Sequence, residues 1–109
     1  MSIFHLISQQ GFDAQSDSEF ILDDANLASG FIHCCTAEQL PGVIERYFPG
    51  DNSNLLVVEL NPEALTEELK WEPATDSDGL FPHIFGPINR SAIVDVRSYS
   101  VAAGTIDEM

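Results

Sequence analysis

Gly30-Phe31-Ile32-His33-Cys34-Cys35-Thr36 is the stretch from which the fold of this chain can be read. A glycine is followed by two large apolar residues, a histidine where the pattern would otherwise stay apolar, two thiols and a threonine. As a strand, this stretch sends Phe31 and His33 to one face and Ile32 to the other. Thr36-Ala37-Glu38-Gln39 then fits a capping box, in which the Thr hydroxyl takes the N3 amide and the Gln side chain reaches back. The spacing of Leu40, Val43, Ile44, Tyr47 and Phe48 predicts one apolar helix face, and Pro49-Gly50-Asp51-Asn52 ends it. The stretch therefore predicts an imidazole at a half-buried strand end with a helix leaving directly after it.

Two further stretches repeat the theme: Ile3-Phe4-His5-Leu6-Ile7 and Leu80-Phe81-Pro82-His83-Ile84-Phe85-Gly86. All three histidines lie inside apolar segments. Any one of them alone reads most simply as a buried imidazole satisfied by a carbonyl. Three together point to a shared site, because a sequence needing only core volume would use Leu or Phe. His5, His33 and His83 are accordingly expected to face a common concave surface.

Around these segments the chain alternates between strands and turns. Residues 2–7 read as a strand buried on both faces, and residues 9–18 as a polar loop. Phe20-Ile21-Leu22 is a short strand or an anchor, followed by a turn from Asp23 to Ser29. Leu55-Leu56-Val57-Val58-Glu59-Leu60 is an unbroken apolar run suited to the centre of a sheet. Asn61 and Pro62 suit the cap and first position of a short helix. Leu69-Lys70-Trp71-Glu72 is a strand stopped by Pro73, and Thr75 to Gly79 an acidic loop. Ile93-Val94-Asp95-Val96-Arg97 alternates as a strand, and 102–109 is expected to fray. With one clear helix, the pattern is an α+β fold in a single domain, 1–109.

Composition narrows the function. The 109 residues contain 18 acids against Arg46, Lys70, Arg90 and Arg97, a formal net charge of -14. Such a surface disfavours general nucleic-acid binding and anionic membranes, while leaving room for a small ligand held by local groups. No run approaches the roughly 18 apolar residues of a membrane span, so a cytoplasmic location is the expectation. Cys34 and Cys35 are adjacent, so they close no loop and lack CxxC spacing; both are expected to be reduced, with Cys35 the more exposed. Neither GxSxG, GxGxxG nor GxxxxGK[ST] occurs, which argues against serine hydrolase, Rossmann and P-loop chemistry. A three-histidine metal centre would need no motif of that kind, but there is no HxH or HxxxH pair to mark one.

Taken together, Phe4-His5, Gly30-Phe31-Ile32-His33-Cys34 with Thr36 and Gln39, Arg46-Tyr47-Phe48, Leu69-Lys70-Trp71-Glu72 and Phe81-Pro82-His83-Ile84-Phe85-Gly86-Pro87 resemble domain-of-unknown-function family 952. The resemblance runs from Ile3 to Val96. That family in turn is similar to a compact ADP-ribosyltransferase fold of the tRNA 2′-phosphotransferase branch. The resemblance implies a split, mainly antiparallel β-sheet with few helices that clamps NAD as substrate. On that reading His5 would bond the ribose or carboxamide, His33 would fix the nicotinamide ribose, and His83 would replace a glutamate, making these three the catalytic set. Thr36, Phe85, Arg90 and Trp71 complete the expected ligand-binding set, with Arg90 nearest the mouth and reaching a pyrophosphate. Arg46 is expected on the polar side of the helix after His33. Three departures stand out: Cys35 replaces the family's usual Ser, Phe85 its usual Tyr, and the Gly11–Ser29 segment is short and lacks a Trp. The alternative function is a non-catalytic module binding a small molecule; the metal-dependent enzyme comes third.

Overall fold

The computed structural model describes residues 2–22, 30–47, 55–73, 79–100 and 105–108, and for Arg46, Tyr47, Tyr99, Ser100 and 105–108 the backbone alone. The strands are β1 (Ile3–Ser8), β2 (Phe20–Ile21), β3 (Ile32–His33), β4 (Leu55–Leu60), β5 (Leu69–Pro73), β6 (Leu80–Ile84), β7 (Ile88–Asn89), β8 (Ile93–Ser100) and β9 (Thr105–Glu108). The helices are α1 (Gln9–Asp13) and α2 (Leu40–Tyr47), with 3-10 turns at Pro62–Ala64 and Arg90–Ala92. Among the described residues the architecture is mainly antiparallel sheet with two short helices, an α+β arrangement. One sheet has the order β1-β4-β8-β9, a second β3-β6-β5, and β2 pairs with β7.

Strand alternation builds two cores. On β1, Ile3 and Ile7 turn to one side while Phe4 and Leu6 turn to the other; on β4, Leu56, Val58 and Leu60 divide likewise from Leu55 and Val57. The first set meets Ile32, Ile84, Ile21 and Ile88 between the sheets. The second meets Leu40 and Ile44, the buried face of α2. The unbroken apolar runs of β1 and β4 follow from this, since both strands are covered on both faces. Each fully buried Ile or Leu contributes about 1.5–3 kcal/mol.

Among the described residues the two larger sheets meet at one bridge, Phe4 with Cys35, and Pro82 explains where. Cys34 N–H donates to the Pro82 carbonyl at 3.0 Å. Pro82 has no N–H to return, so the β3–β6 ladder stops there. Cys35 instead exchanges both backbone bonds with Phe4, each at 2.8 Å. A proline in the middle strand of a three-stranded sheet is tolerated because its missing donor falls where β3 departs.

This departure corrects the expectation for the thiols. Alternation carries on, with Ile32 and Cys34 facing the core between the sheets and Cys35 the other side, but there Cys35 meets β1 and lies under α2, so it is 2% exposed rather than on the surface. Cys34 packs in the core between the sheets and Cys35 in the core under α2. Both are free thiols.

Several sequence readings take their expected form. The capping box closes, with Thr36 N–H on Gln39 Oε1 at 2.9 Å and Gln39 N–H on Thr36 Oγ at 3.3 Å. Asn61 Oδ1 accepts from Glu63 N–H and caps the 3-10 turn. Two differ. The polar loop after β1 opens with α1, capped by the Ser8 hydroxyl on Gly11 N–H, and Thr105–Glu108 pairs with β8 instead of fraying. The expected turn at 23–29, the helix end at Phe48 and Pro49–Asn52, and the acidic loop residues 75–78 lie outside the described residues.

Candidate functional site

The three-stranded sheet sorts its side chains into two faces. Its register sets His33 opposite His83 and His83 opposite Lys70, so one line across β3, β6 and β5 carries three basic nitrogens. The neighbouring line sets Ile32 against Ile84 and Ile84 against Leu69, and that face turns to the core. Phe31 and Phe85 follow the histidines by alternation to the outer face, and so does Glu72.

His83 is the keystone of this face. The Phe31 ring stacks on it at 4.2 Å between centroids and 21° between planes. His33 meets it edge-on at 5.2 Å, and Phe31 also contacts His33 at 4.7 Å and Phe85 at 5.3 Å. Glu72 Oε1 accepts from His83 Nδ1–H at 2.9 Å. An ionised carboxylate can only accept, so this contact sets the proton on Nδ1 and leaves Nε2 as the ring's remaining basic position. Lys70 Nζ lies 5.0 Å over the Phe85 ring, with Glu68 at 3.6 Å. His83 is 5% exposed, whereas His33 is on the surface. Any ligand therefore meets His33 first.

His5 takes a different place from the one expected. It sits with Ile3 and Ile7 on the inward side of β1, 2% exposed, and its Nδ1–H donates to the His33 carbonyl at 2.8 Å. The expected surface of three histidines thus reduces to two, with His5 bracing the strand that carries one of them. Odd positions of β1 face the space between the sheets, which decides this.

Arg90 is also reassigned. Its Nε donates to the Ser18 carbonyl, its Nη2 to the Gln15 carbonyl at 2.6 Å, and its backbone N–H to the Glu19 carbonyl at 2.9 Å. The guanidinium lies 5.2 Å over Phe12. Arg90 fastens the Gln15–Glu19 segment to the 3-10 turn that follows β7, and its guanidinium is committed to those carbonyls. Trp71 stands on the face of β5 opposite Lys70 and Glu72, next to Pro82, and so does not join the histidines. Thr36 spends its hydroxyl on the helix cap. The Arg46 side chain lies outside the described residues.

Sequence reading missed Lys70 and Glu72 as partners of the histidines. Both stand within a segment marked as a strand, and alternation places them together; the register that brings them to His83 is not written in the segment itself. Asn89 was missed altogether. It is 5% exposed; its Oδ1 accepts from Thr66 N–H at 3.0 Å, and its Nδ2 donates to the Ala64 carbonyl and to Ser91 Oγ. Among the described residues no group of three or more His, Cys, Asp or Glu is arranged to hold a metal ion, so the three-histidine metal reading has no geometry here. No helix among them is long and apolar enough to cross a membrane.

A family model described as a protein of unknown function (DUF952) matches residues 7–96. The chain belongs to that family. The match takes in His33, Lys70, Glu72 and His83 of this DUF952 chain and begins after His5. No curated protein matches. Among solved structures, the chain is similar to protein CC0527 from Caulobacter crescentus. Against the crystal structure of that protein the identity is 25% and the TM-score 0.81, covering 98% of this chain and 94% of that one. Against its solution NMR structure the identity is 27% and the TM-score 0.77, covering 96% and 90%.

Proposed function

We propose that this DUF952 protein binds a small ligand on the outer face of β3-β6-β5, and that the ligand is NAD or an ADP-ribosylated small molecule handled as in an ADP-ribosyltransferase. The observation that carries the reading is the His33–His83 pair, 5.2 Å between ring centroids, set at the point where the sheet divides and walled by Phe31 and Phe85. Aromatic rings suit a planar heterocycle, and Lys70 supplies the charge for a phosphate, the task first assigned to Arg90.

The chemistry would proceed by loss of nicotinamide. The bond between the ribose carbon and the ring nitrogen breaks, and its electron pair leaves with nicotinamide. The acceptor oxygen or nitrogen bonds to the ribose carbon, and its proton passes to an imidazole of the pair. Glu72 adds negative charge beside that pair, which favours an oxocarbenium-like transition state.

A second reading, binding without turnover, is favoured by the cover over His83. An imidazole 5% exposed beneath Phe31 is well placed to support a ligand and poorly placed to collect a proton. Thermal shift and calorimetry with NAD, ADP-ribose and nicotinamide, followed by product analysis, separate the two. Turnover that falls in His83→Ala establishes the enzyme; binding without products establishes the module. No binding at about millimolar ligand, the weak end of useful affinity, refutes the ligand class.

A further inference from the structure

Among the described residues, β5 has one edge that no strand covers: it pairs with β6 alone and ends its sheet. Phe85 N–H donates to the Glu68 carbonyl at 2.8 Å, so Glu68 turns its backbone inward. In an antiparallel ladder the groups alternate, so Lys70 and Glu72 also bond inward while Leu69, Trp71 and Pro73 turn theirs outward. Pro82, opposite Trp71, agrees with this: its carbonyl serves Cys34 on the other side. The outward groups are therefore the N–H of Leu69 and Trp71 and the carbonyls of Leu69, Trp71 and Pro73.

Large apolar side chains gather at the same edge. Trp71 is 37% exposed and Leu80 51%. Leu80 pairs with Pro73 and Pro82 with Trp71, so these four residues share one face of the β5–β6 ribbon. On the opposite face of β5 stand Lys70 and Glu72, whose charges are opposite and lie symmetrically about Trp71.

We infer that two copies of this chain associate through antiparallel pairing of their β5 strands, centred on Trp71. In that register Trp71 pairs with the partner's Trp71, Lys70 with the partner's Glu72, Glu72 with the partner's Lys70, and Leu69 with the partner's Pro73. The missing N–H of Pro73 removes one donor from the last pair and leaves the Leu69 donor satisfied by a carbonyl. Other registers that use the outward groups are worse. Centring on Lys70 sets Lys70 against itself, centring on Glu72 sets Glu72 against itself, and centring on Leu69 leaves most of β5 unpaired. Direct cross-strand neighbours of opposite charge attract and like charges repel, so the charge pattern selects the Trp71 register. The pair of indoles would lie side by side over the Leu80 patch, where aromatic cross-strand contacts are favourable.

Assembly would reach the histidine face. Glu72 Oε1 already holds His83, so the partner's Lys70 would stand beside the carboxylate that orients the buried imidazole. Each copy thus contributes a cation to the other's site.

Sedimentation equilibrium at physiological salt tests this with a charge swap. The wild-type chain is expected to be a dimer. Lys70→Glu and Glu72→Lys should each weaken it by roughly tenfold to a hundredfold, since each sets like charges opposite one another twice across the axis. The double variant Lys70→Glu/Glu72→Lys should restore it. Trp71→Pro serves as a second probe: it removes an outward N–H from an edge position that tolerates proline, so it should give a monomer whose circular dichroism is unchanged. A wild-type monomer, a dimer indifferent to the single variants, or a double variant that stays monomeric would each overturn the inference. Ligand binding is read on the Trp71→Pro monomer, which leaves Lys70 and Glu72 in place on the other face of β5, so failure of the dimer does not bear on the proposed ligand.

Discussion

Raising the pH should destabilise this protein through Cys35. Burial pushes the Cys35 thiol from its ordinary value of 9.0 up to about 12. Cys34 is raised as well, first by burial and second by its neighbour Cys35. A raised value means that the folded state holds its proton more tightly than the unfolded chain does. The stabilising contribution is therefore complete below about pH 9 and is lost as the pH climbs toward 12. With about 1.36 kcal/mol for each unit, Cys35 alone removes about 1.4 kcal/mol by pH 10 and about 2.7 kcal/mol by pH 11. Against a domain stability of roughly 5–15 kcal/mol, that shift is easily measured. Urea unfolding at pH 8, 9, 10 and 11 should be compared between wild type and Cys35→Ala. The variant loses packing in the core under α2, which offsets its curve by a constant. Tyrosines and lysine titrate in both proteins and cancel in the difference. The wild-type curve should fall toward the variant's above pH 9. A difference that stays flat to within ~0.5 kcal/mol across the series would refute the reasoning, for it would mean the folded protein ionises this thiol as readily as the unfolded chain.

Asn89→Ala should cost roughly 2–4 kcal/mol in urea unfolding, because the Thr66 N–H and the Ala64 carbonyl each lose their side-chain partner; a loss under ~1 kcal/mol would show that water replaces the amide. Arg90→Met should speed hydrogen exchange in the segment from Gln15 to Glu19 by roughly tenfold or more and leave the affinity for NAD or ADP-ribose unchanged, since the guanidinium serves carbonyls of that segment; weakened ligand binding without faster exchange would return Arg90 to the site.

Local chemistry was legible where neighbours in sequence are also partners in space. The capping box joins Thr36 to Gln39, and Asn61 caps its own turn, so both interactions lie within three residues. Apolar runs marked β1 and β4 as strands buried on both faces, because a residue at every position must meet a core on one side or the other. Where the sequence reading missed, longer-range partners decided. The short α1 rests on the Ser8 hydroxyl and on contact with β1, and β9 exists because β8 offers an edge to it.

What the sequence by itself determined is which segments form the elements: the strands with His5, His33 and His83, the strand with Lys70 and Glu72, and the helix after Thr36. Periodicity sets the side of a strand on which each residue lies, but only relative to its own neighbours. What the tertiary structure alone decided is how those segments meet. Register brought His83 between His33 and Lys70, a proline without an N–H ended the β3–β6 ladder, α2 and β1 covered Cys35, and the inward side of β1 took His5 away from the surface. Arg90 reads from the sequence as a free cation, yet the carbonyls it holds lie more than seventy residues earlier in the chain. The reason is physical: pairing between strands depends on backbone donors and acceptors that every residue carries alike, so the register is set by the packing of the whole core and not by the side chains of any one strand.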